Sequence, residues 1–295
     1  MFSAAVTATL VVVFRETLEA GLIVGIILTV LHRLQAMRYA GRVWTGTALA
    51  VGASLLAGWV LGVATETTRE GWEQAIEGVI SLVACGVLTH MIFWMERQAK
   101  RIRPEVEIRV ESAVSRRDLI AIALLPFLAV FREGAETVLF LKAVAIQNSG
   151  AVSLGGGLLG GALAVGVTAA IFVGGRRVPL KPLFRVTGVL LILMAAGMLA
   201  YGVHELEELG WIPQVMSPVW NINHILNEKE GFGSFLKALF GYNGNPSLTE
   251  VLAYCAYLLL VIRALRRTVQ PPTPPSPGRP AHHPAPAPRS QSVSV

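Results

Sequence analysis

Long apolar runs alternate with short polar segments along this chain, and the pattern predicts membrane-spanning helices. A span needs about 20 mostly apolar residues. Helices are the open-chain structure that satisfies its own backbone hydrogen bonds in lipid, so the predicted fold class is an all-α integral membrane protein. The predicted transmembrane helices, seven in number, are residues 4–31, 44–64, 72–95, 119–146, 152–175, 184–204 and 248–265.

The composition supports this interpretation. Of the 295 residues, 53% are hydrophobic and 15% are charged, whereas soluble domains carry about 25% charged residues. The net charge of +6 resides in short loops between the spans, so it does not indicate nucleic-acid binding. We expect residues 1–268 to form one seven-helix domain. Residues 269–295 are rich in Pro and Ser and are expected to be a disordered cytoplasmic tail.

Basic residues are concentrated in alternate loops, which predicts the orientation. Arg and Lys are frequent in residues 32–43, 96–118 and 176–183, and again after the last span, while the intervening loops are poor in both. Loops with an excess of Lys and Arg stay in the cytoplasm. The N-terminus is therefore expected outside and the C-terminus in the cytoplasm.

One charged sequence occurs twice within the apolar runs. "VFRETLEAGL" (13–22) lies in the first span and "VFREGAETVL" (130–139) in the fourth, and six of the ten positions are identical, including all three charges. The fourth span runs opposite to the first. Spans 1–3 and 4–6 are therefore expected to form an inverted repeat followed by a seventh helix. Transporters built this way bind their substrate at the repeat interface near the bilayer midplane.

These charges need a compensating interaction. A charged residue at the bilayer centre costs at least about 2.5–3.5 kcal/mol on insertion scales. One interpretation is two local Arg–Glu pairs that hold helices together, although buried ion pairs are weak evidence for stability. Two Arg against four Glu leave a surplus of negative charge, and this favours a cation pathway.

The spacing of the motif specifies the ligands of such a pathway. Glutamates at i and i+3 share one helix face, so two helices can bring four carboxylates together. Oxygen ligands suit hard cations, and the motif contains no Cys or Met, which argues against copper(I). The candidate metal ligands are Glu16, Glu19, Glu133 and Glu136, with Arg15 and Arg132 as supporting residues.

At these residues the chain resembles the oxidase-dependent iron transporter family, the iron permeases of fungi and bacteria. The hallmark of that family, Arg-Glu-x-x-Glu in the first and fourth spans, is found at 15–19 and 132–136. The resemblance extends over about residues 1–268. Thr17 departs from it, because Gly is frequent there in the family. The other similar segments are "LPFLAVFREGAETVLFL" (125–141), "MLAYGVHELEELGWIP" (198–213) and "HILNEKEGFGSFLKALFGYNGNPS" (224–247).

The resemblance implies an iron permease domain over residues 1–268 and iron uptake across the plasma (inner) membrane. It implies a transporter rather than an enzyme, with iron as the transported substrate and no permanently bound cofactor. Ferric ion is the expected species, delivered by a separate extracytoplasmic oxidase or iron-binding protein. Some members of the family are linked to lead or other divalent metals, so another metal cation is the alternative substrate.

Ionisable residues near the outer ends of spans 3 and 6 suggest an entry path for the cation. They are Glu73, Glu77, His204 and Glu205. His90 is interpreted as a core histidine, and residues 231–242 as a short interfacial helix. Two other functions stay open. A membrane di-iron oxidoreductase is disfavoured because no Glu has a His three residues later. A proton-coupled carrier of a non-metal solute could use the glutamates as proton relays.

Overall fold

All of the regular secondary structure in the described part of the chain is helical. The computed structural model describes residues 4–66, 72–98, 102–147, 152–174, 180–228 and 231–269, and these contain no β-strand. A 3₁₀ turn, Met37–Tyr39, precedes the second helix. The nine α-helices of the described residues are α1 (Ala4–Arg33), α2 (Ala40–Glu66), α3 (Glu73–Gln98), α4 (Ile102–Ser115), α5 (Leu119–Gln147), α6 (Leu154–Phe172), α7 (Leu180–Glu208), α8 (Gly231–Phe240) and α9 (Leu248–Val269).

Each predicted span coincides with a long helix, namely α1, α2, α3, α5, α6, α7 and α9, and the ends differ by at most four residues. Helix α4 was not predicted, because its many charged residues resemble a loop. Its apolar positions nevertheless follow helical spacing, and Val110 and Ala113 are buried. The expected disorder of residues 269–295 concerns residues outside the described part, except Val269, which ends α9.

The helices have the length and apolar surface of a membrane protein. Helices α1 and α5 are 30 and 29 residues long, but each carries three charged residues near its middle. Large apolar side chains on the outside of the bundle, such as Leu55, Leu154 and Leu259, are at least 70% exposed, as expected where lipid covers them. Five other segments are long and apolar enough to cross a membrane: Met37–Thr65, Glu73–Met95, Leu154–Phe172, Phe184–Glu208 and Leu248–Arg267.

Two apolar clusters form the core, one toward each end of the bundle. The first, called the α8 cluster, includes Ala8 and Val12 of α1 and Phe140 of α5, together with residues of α3, α7, α8 and α9. The second, called the α4 cluster, includes Ile27 of α1 and Ile122 of α5, together with residues of α2 and α4. Along both α1 and α5 the charged motif falls between the residues of these two clusters.

The helices pack in a regular set of pairs. Helix α1 lies against α6, α2 against α5, and α3 against α7, while α1 and α5 contact each other and α9 packs on α7. Small residues allow the closest of these approaches. At Gly160 of α6, a Cβ atom would stand 2.6 Å from the carbonyl oxygen of Leu10 on α1. Close approach through small residues is a common way for helices to associate in lipid.

The short helix α8 is exposed at its start and enters the bundle at its end. Ala238 and Leu239 are buried in the α8 cluster, against α1 and α7. A Cβ on Gly197 would come within 2.5 Å of the Gly241 Cα. Gly197 is 11 residues before the end of α7, about 16 Å along the helix axis. The sequence correctly predicted a short helix here, and the structure buries one side of it in the core. Its placement at the membrane interface stays a prediction.

The contact between α1 and α6 gives a stability prediction. We expect Gly160→Leu to lower the free energy of unfolding by about 1–3 kcal/mol, because the new side chain meets the backbone of Leu10. Gly166→Leu is the matched control on the same helix, since a Cβ there has no atom within 4 Å. Thermal unfolding of the purified protein in detergent measures the difference. Equal melting temperatures for the two variants would contradict the close approach.

Candidate metal centre

The first motif is buried where α1 crosses the middle of the bundle. The exposed fractions of Arg15, Glu16 and Glu19 are 2%, 1% and 7%. Arg15 Nε lies 3.1 Å from Glu19 Oε1, one helical turn away. The other end of the guanidinium reaches α3, where Arg15 Nη2 is 3.0 Å from Met95 Sδ. Glu16 has no such ion pair among the described residues, so its charge is not neutralised locally.

The second motif has a related arrangement on α5. Arg132 Nε donates a hydrogen bond to Glu136 Oε1 at 3.0 Å and lies 3.6 Å from Glu133 Oε1. Its guanidinium also stacks over the ring of Trp94 at 4.1 Å from the ring centroid, a cation–π contact. Trp94 and Met95 are neighbours on α3, so this helix supplies a contact to each arginine. No charge or motif in the sequence of α3 indicated this role.

The two motifs meet, as their inverted arrangement predicted. Carboxylate oxygens of Glu16, Glu19 and Glu133 all lie within 4.8 Å of one another. Oxygen ligands at 2.0–2.6 Å from a cation lie within about 5 Å of each other, so the separation suits a shared ion. Glu136 is not part of this group and stays with Arg132. The structure thus brings together three of the four predicted carboxylates.

Several oxygens at this centre are buried and have no hydrogen-bond partner among the residues that the structure describes. Both carboxylate oxygens of Glu16 are in this position, as are Oε2 of Glu133 and Oε2 of Glu136. Leaving a buried charged group unsatisfied is costly, and a bound cation is one group that would satisfy these oxygens. The oxygens come from both motifs, so neither motif alone provides the whole donor set.

The residues of the expected entry path separate into two groups at the end of the bundle that carries α8. Glu77 of α3 accepts a hydrogen bond from the Tyr201 hydroxyl at 2.9 Å, and Glu205, which is buried, interacts with the same tyrosine. His204 instead faces α9, where its Nδ1 is 3.0 Å from Glu250 Oε1. Glu73 is exposed at the start of α3.

Two residues near His204 were not predicted from the sequence. Glu207 and Glu250 both belong to its surroundings. Glu250 starts a different helix, so its spacing from His204 gave no signal, and Glu207 resembled part of a solvated loop.

The interpretation of His90 as a core residue was wrong, because His90 is exposed.

Comparison with known proteins identifies the family. The model of the iron permease FTR1 family matches residues 6–267. The chain belongs to this family. Family membership indicates that the permease is a transporter rather than an enzyme, and its long apolar helices make it a multi-pass membrane protein. A comparison with the solved structures gave no significant match.

Curated relatives of the permease carry the name ferrous iron permease EfeU. The protein of Yersinia pestis is 32% identical over 250 residues, which are 84% of this chain and 89% of that protein. The protein of Escherichia coli O6:H1 is 32% identical over 263 residues, or 88% of this chain and 94% of that protein. The similarity therefore extends over nearly the whole length of both proteins.

The burial of Arg15 gives a second prediction. Arg15→Met removes a positive charge from beside buried carboxylates, so we expect it to lower the free energy of unfolding by about 3–5 kcal/mol. Arg15→Met combined with Glu19→Gln should restore part of this loss, because one uncompensated charge is then removed. Unfolding of the purified permease in sodium dodecyl sulfate, followed by circular dichroism, measures all variants.

Arg33→Met is the control on the same helix. Arg33 pairs with Glu107 and Glu111 of α4, but its side chain is 54% exposed, so the loss should be no more than about 1 kcal/mol. If Arg15→Met destabilises the protein no more than Arg33→Met does, the buried carboxylates do not depend on Arg15.

Proposed function

We propose that this permease moves iron ions across the plasma (inner) membrane through a site formed by the two motifs. Glu16, Glu19, Glu133 and Glu136 are the proposed metal ligands, and Arg15 and Arg132 support them. The proposal rests on one observation, the approach of Glu16, Glu19 and Glu133 to within 4.8 Å although they come from segments 117 residues apart. Iron is the substrate and passes through the site, so it is not a resident cofactor.

The arginines have two roles in this proposal. Each one holds a carboxylate of its own motif one helical turn away, Glu19 in one case and Glu136 in the other. Each also lowers the negative charge of the empty site. With four ionised glutamates and two arginines, the net charge is −2, so a divalent ion brings it to zero. This balance, together with the name of the relatives, favours ferrous ion at the site.

Ferric ion delivered by a separate oxidase or iron-binding protein stays a prediction from the family resemblance. The two species require different conditions outside the cell. Ferrous uptake needs a reductant to keep iron in the +2 state, whereas ferric uptake needs an oxidising partner. A transport assay with each species therefore distinguishes them, and lead or another divalent cation can be added as a competitor in the same assay.

The helix packing supports an inverted repeat. If α1, α2 and α3 correspond to α5, α6 and α7, then the pairing of α1 with α6 is equivalent to that of α2 with α5. The contact of α1 with α5 and that of α3 with α7 each map onto themselves. A two-fold relation between the halves accounts for all four contacts, and α9 is then the additional seventh span.

The uptake of radioactive iron by cells that lack other iron-uptake systems tests the proposed site. Glu16→Gln, Glu19→Gln and Glu133→Gln should each reduce uptake at least tenfold while the amount of protein in the membrane is unchanged. Gln is close in size to Glu and is neutral, so it removes the ligand charge with little effect on packing. Glu136→Gln should also reduce uptake, because it removes the negative charge that pairs with Arg132.

Glu105→Gln serves as the matched control, since Glu105 is an exposed glutamate of α4, away from both motifs along the chain. Each variant is assayed with ferrous iron plus ascorbate and with ferrous iron plus an external oxidase that converts it to ferric iron in air. Normal uptake by all four motif variants in both conditions would mean that the carboxylates are structural.

The orientation proposed from the basic loops is N-terminus outside and C-terminus in the cytoplasm. A single cysteine placed at Gln214, in the exposed segment after α7, should then react with a membrane-impermeant maleimide added to intact cells, once Cys85 and Cys255 are replaced by Ala. A cysteine at Arg116, which is exposed after α4, should react only after the cells are opened. The reverse pattern would invert the topology.

A further inference from the structure

A second group of ionisable side chains lies where α7 ends and α9 begins. His204 and Glu207 are three residues apart on α7, and Glu250 is in the first turn of α9. Ligand atoms of these three side chains all lie within 4.8 Å of one another. The ligand atoms of the motif centre meet the same upper limit, but these residues belong to neither motif and one of them is a histidine.

Glu207 is the residue that the fold itself does not explain. It is 6% exposed, and neither of its carboxylate oxygens has a hydrogen-bond partner among the described residues. A buried carboxylate without partners costs several kcal/mol unless a counter-ion or a proton neutralises it. Its position beside His204 and Glu250 means that a cation bound between the three would neutralise it directly.

Glu250 is held in a fixed orientation by its surroundings. Its Oε1 accepts a hydrogen bond from the backbone N–H of Ser247 at 3.1 Å, and its Oε2 accepts one from Asn243 at 2.7 Å. Ser247 caps α9 in return, since its hydroxyl accepts the Glu250 N–H at 3.1 Å. Hydrogen bonds of this kind orient metal-binding carboxylates in proteins. His204 Nδ1 is also 3.0 Å from Glu250 Oε1. A carboxylate has four lone-pair directions, so a metal that replaces this direct contact between His204 and Glu250 can bind beside the Ser247 and Asn243 donors.

We propose that His204, Glu207 and Glu250 form a second cation site, separate from the motif centre, which binds a divalent first-row transition metal through one imidazole nitrogen and two carboxylates. His204 is partly exposed, so the site is reached from the end of the bundle that carries α8. Its role as a loading site for iron rests on the proposed function. Metal binding by these three residues does not.

The ligand types set the selectivity of this site. Calcium and magnesium prefer oxygen ligands throughout, whereas imidazole suits iron, zinc, nickel and copper. Glu208 lies on the other side of the imidazole from Glu250, with Oε1 at 3.2 Å from Nε2, so it can orient the ring while Nδ1 faces the site. The site should therefore favour Fe²⁺ over Ca²⁺, while the all-oxygen motif centre discriminates less between these two ions.

Mn²⁺ is a suitable probe because it is paramagnetic and stable in air. Titration of the purified full-length protein, followed by electron paramagnetic resonance, counts the bound ions. Electron spin echo modulation by ¹⁴N then reports whether a histidine is a ligand, which the histidine-free motif centre cannot produce. We expect wild-type protein to show ¹⁴N modulation, and Glu207→Gln and His204→Gln each to lose it together with one equivalent of Mn²⁺ or at least tenfold in affinity.

Further variants separate this proposal from the proposed function. Glu19→Gln should keep the ¹⁴N modulation and lose the other equivalent of Mn²⁺, and Glu105→Gln should change neither. Size-exclusion profiles show whether each variant is folded. If either Glu207→Gln or His204→Gln does not fold, the other variant still tests the site. If the ¹⁴N modulation is absent from wild-type protein, or survives in both Glu207→Gln and His204→Gln, the second site is wrong, whatever Glu19→Gln does.

Discussion

Six charged side chains lie between two apolar clusters, and the packing of the long helices is organised around them. Each arginine reaches a glutamate one turn along its own helix, but two Arg do not neutralise four Glu. The remaining carboxylates are buried, so a proton or a cation from outside the motif must neutralise them. The crossing of α1 and α5 brings the excess to one place, where a mobile cation can serve as that group. The surplus of negative charge that makes the two helices difficult to bury therefore also makes them suitable for cation transport.

The two short helices complete the clusters on either side of this charged layer. Helix α4 contributes Val110 and Ala113 to one cluster, and α8 contributes Ala238 and Leu239 to the other. The two groups of ionisable residues also differ in chemistry. The buried centre offers oxygen ligands alone, whereas the cluster at the end of α7 includes an imidazole. A cation arriving from the α8 end would thus meet two different sets of ligands in succession.

Much of this arrangement follows from the sequence, because it depends on patterns local to one helix. Span lengths, the repeated motif and the meeting of its carboxylates all follow from apolar runs and i, i+3 spacing. Contacts between distant segments do not, so the roles of Trp94 and Met95 beside the arginines and of Glu250 beside His204 were missed. Helix α4 was missed because its charged residues resemble a loop, and the burial of Ala238 and Leu239 of α8 was missed because amphipathic spacing does not show which protein surface a helix packs against. His90 was expected in the core but is exposed, because an apolar run does not reveal which face of the helix points outward.

The partners of α1 also lie late in the chain, and this has a consequence for biosynthesis. Helix α1 packs chiefly against α6 and α5, which begin at Leu154 and Leu119. A nascent chain that ends at Gln98 therefore contains Glu16 and Glu19 without the helices that enclose them. On insertion scales, three charges at about 2.5–3.5 kcal/mol each offset most of what the apolar residues of one span contribute. Helix α1 is thus synthesised well before the helices that enclose its charges, so the final surroundings of Glu16 and Glu19 form only after residues about a hundred or more positions later have been made.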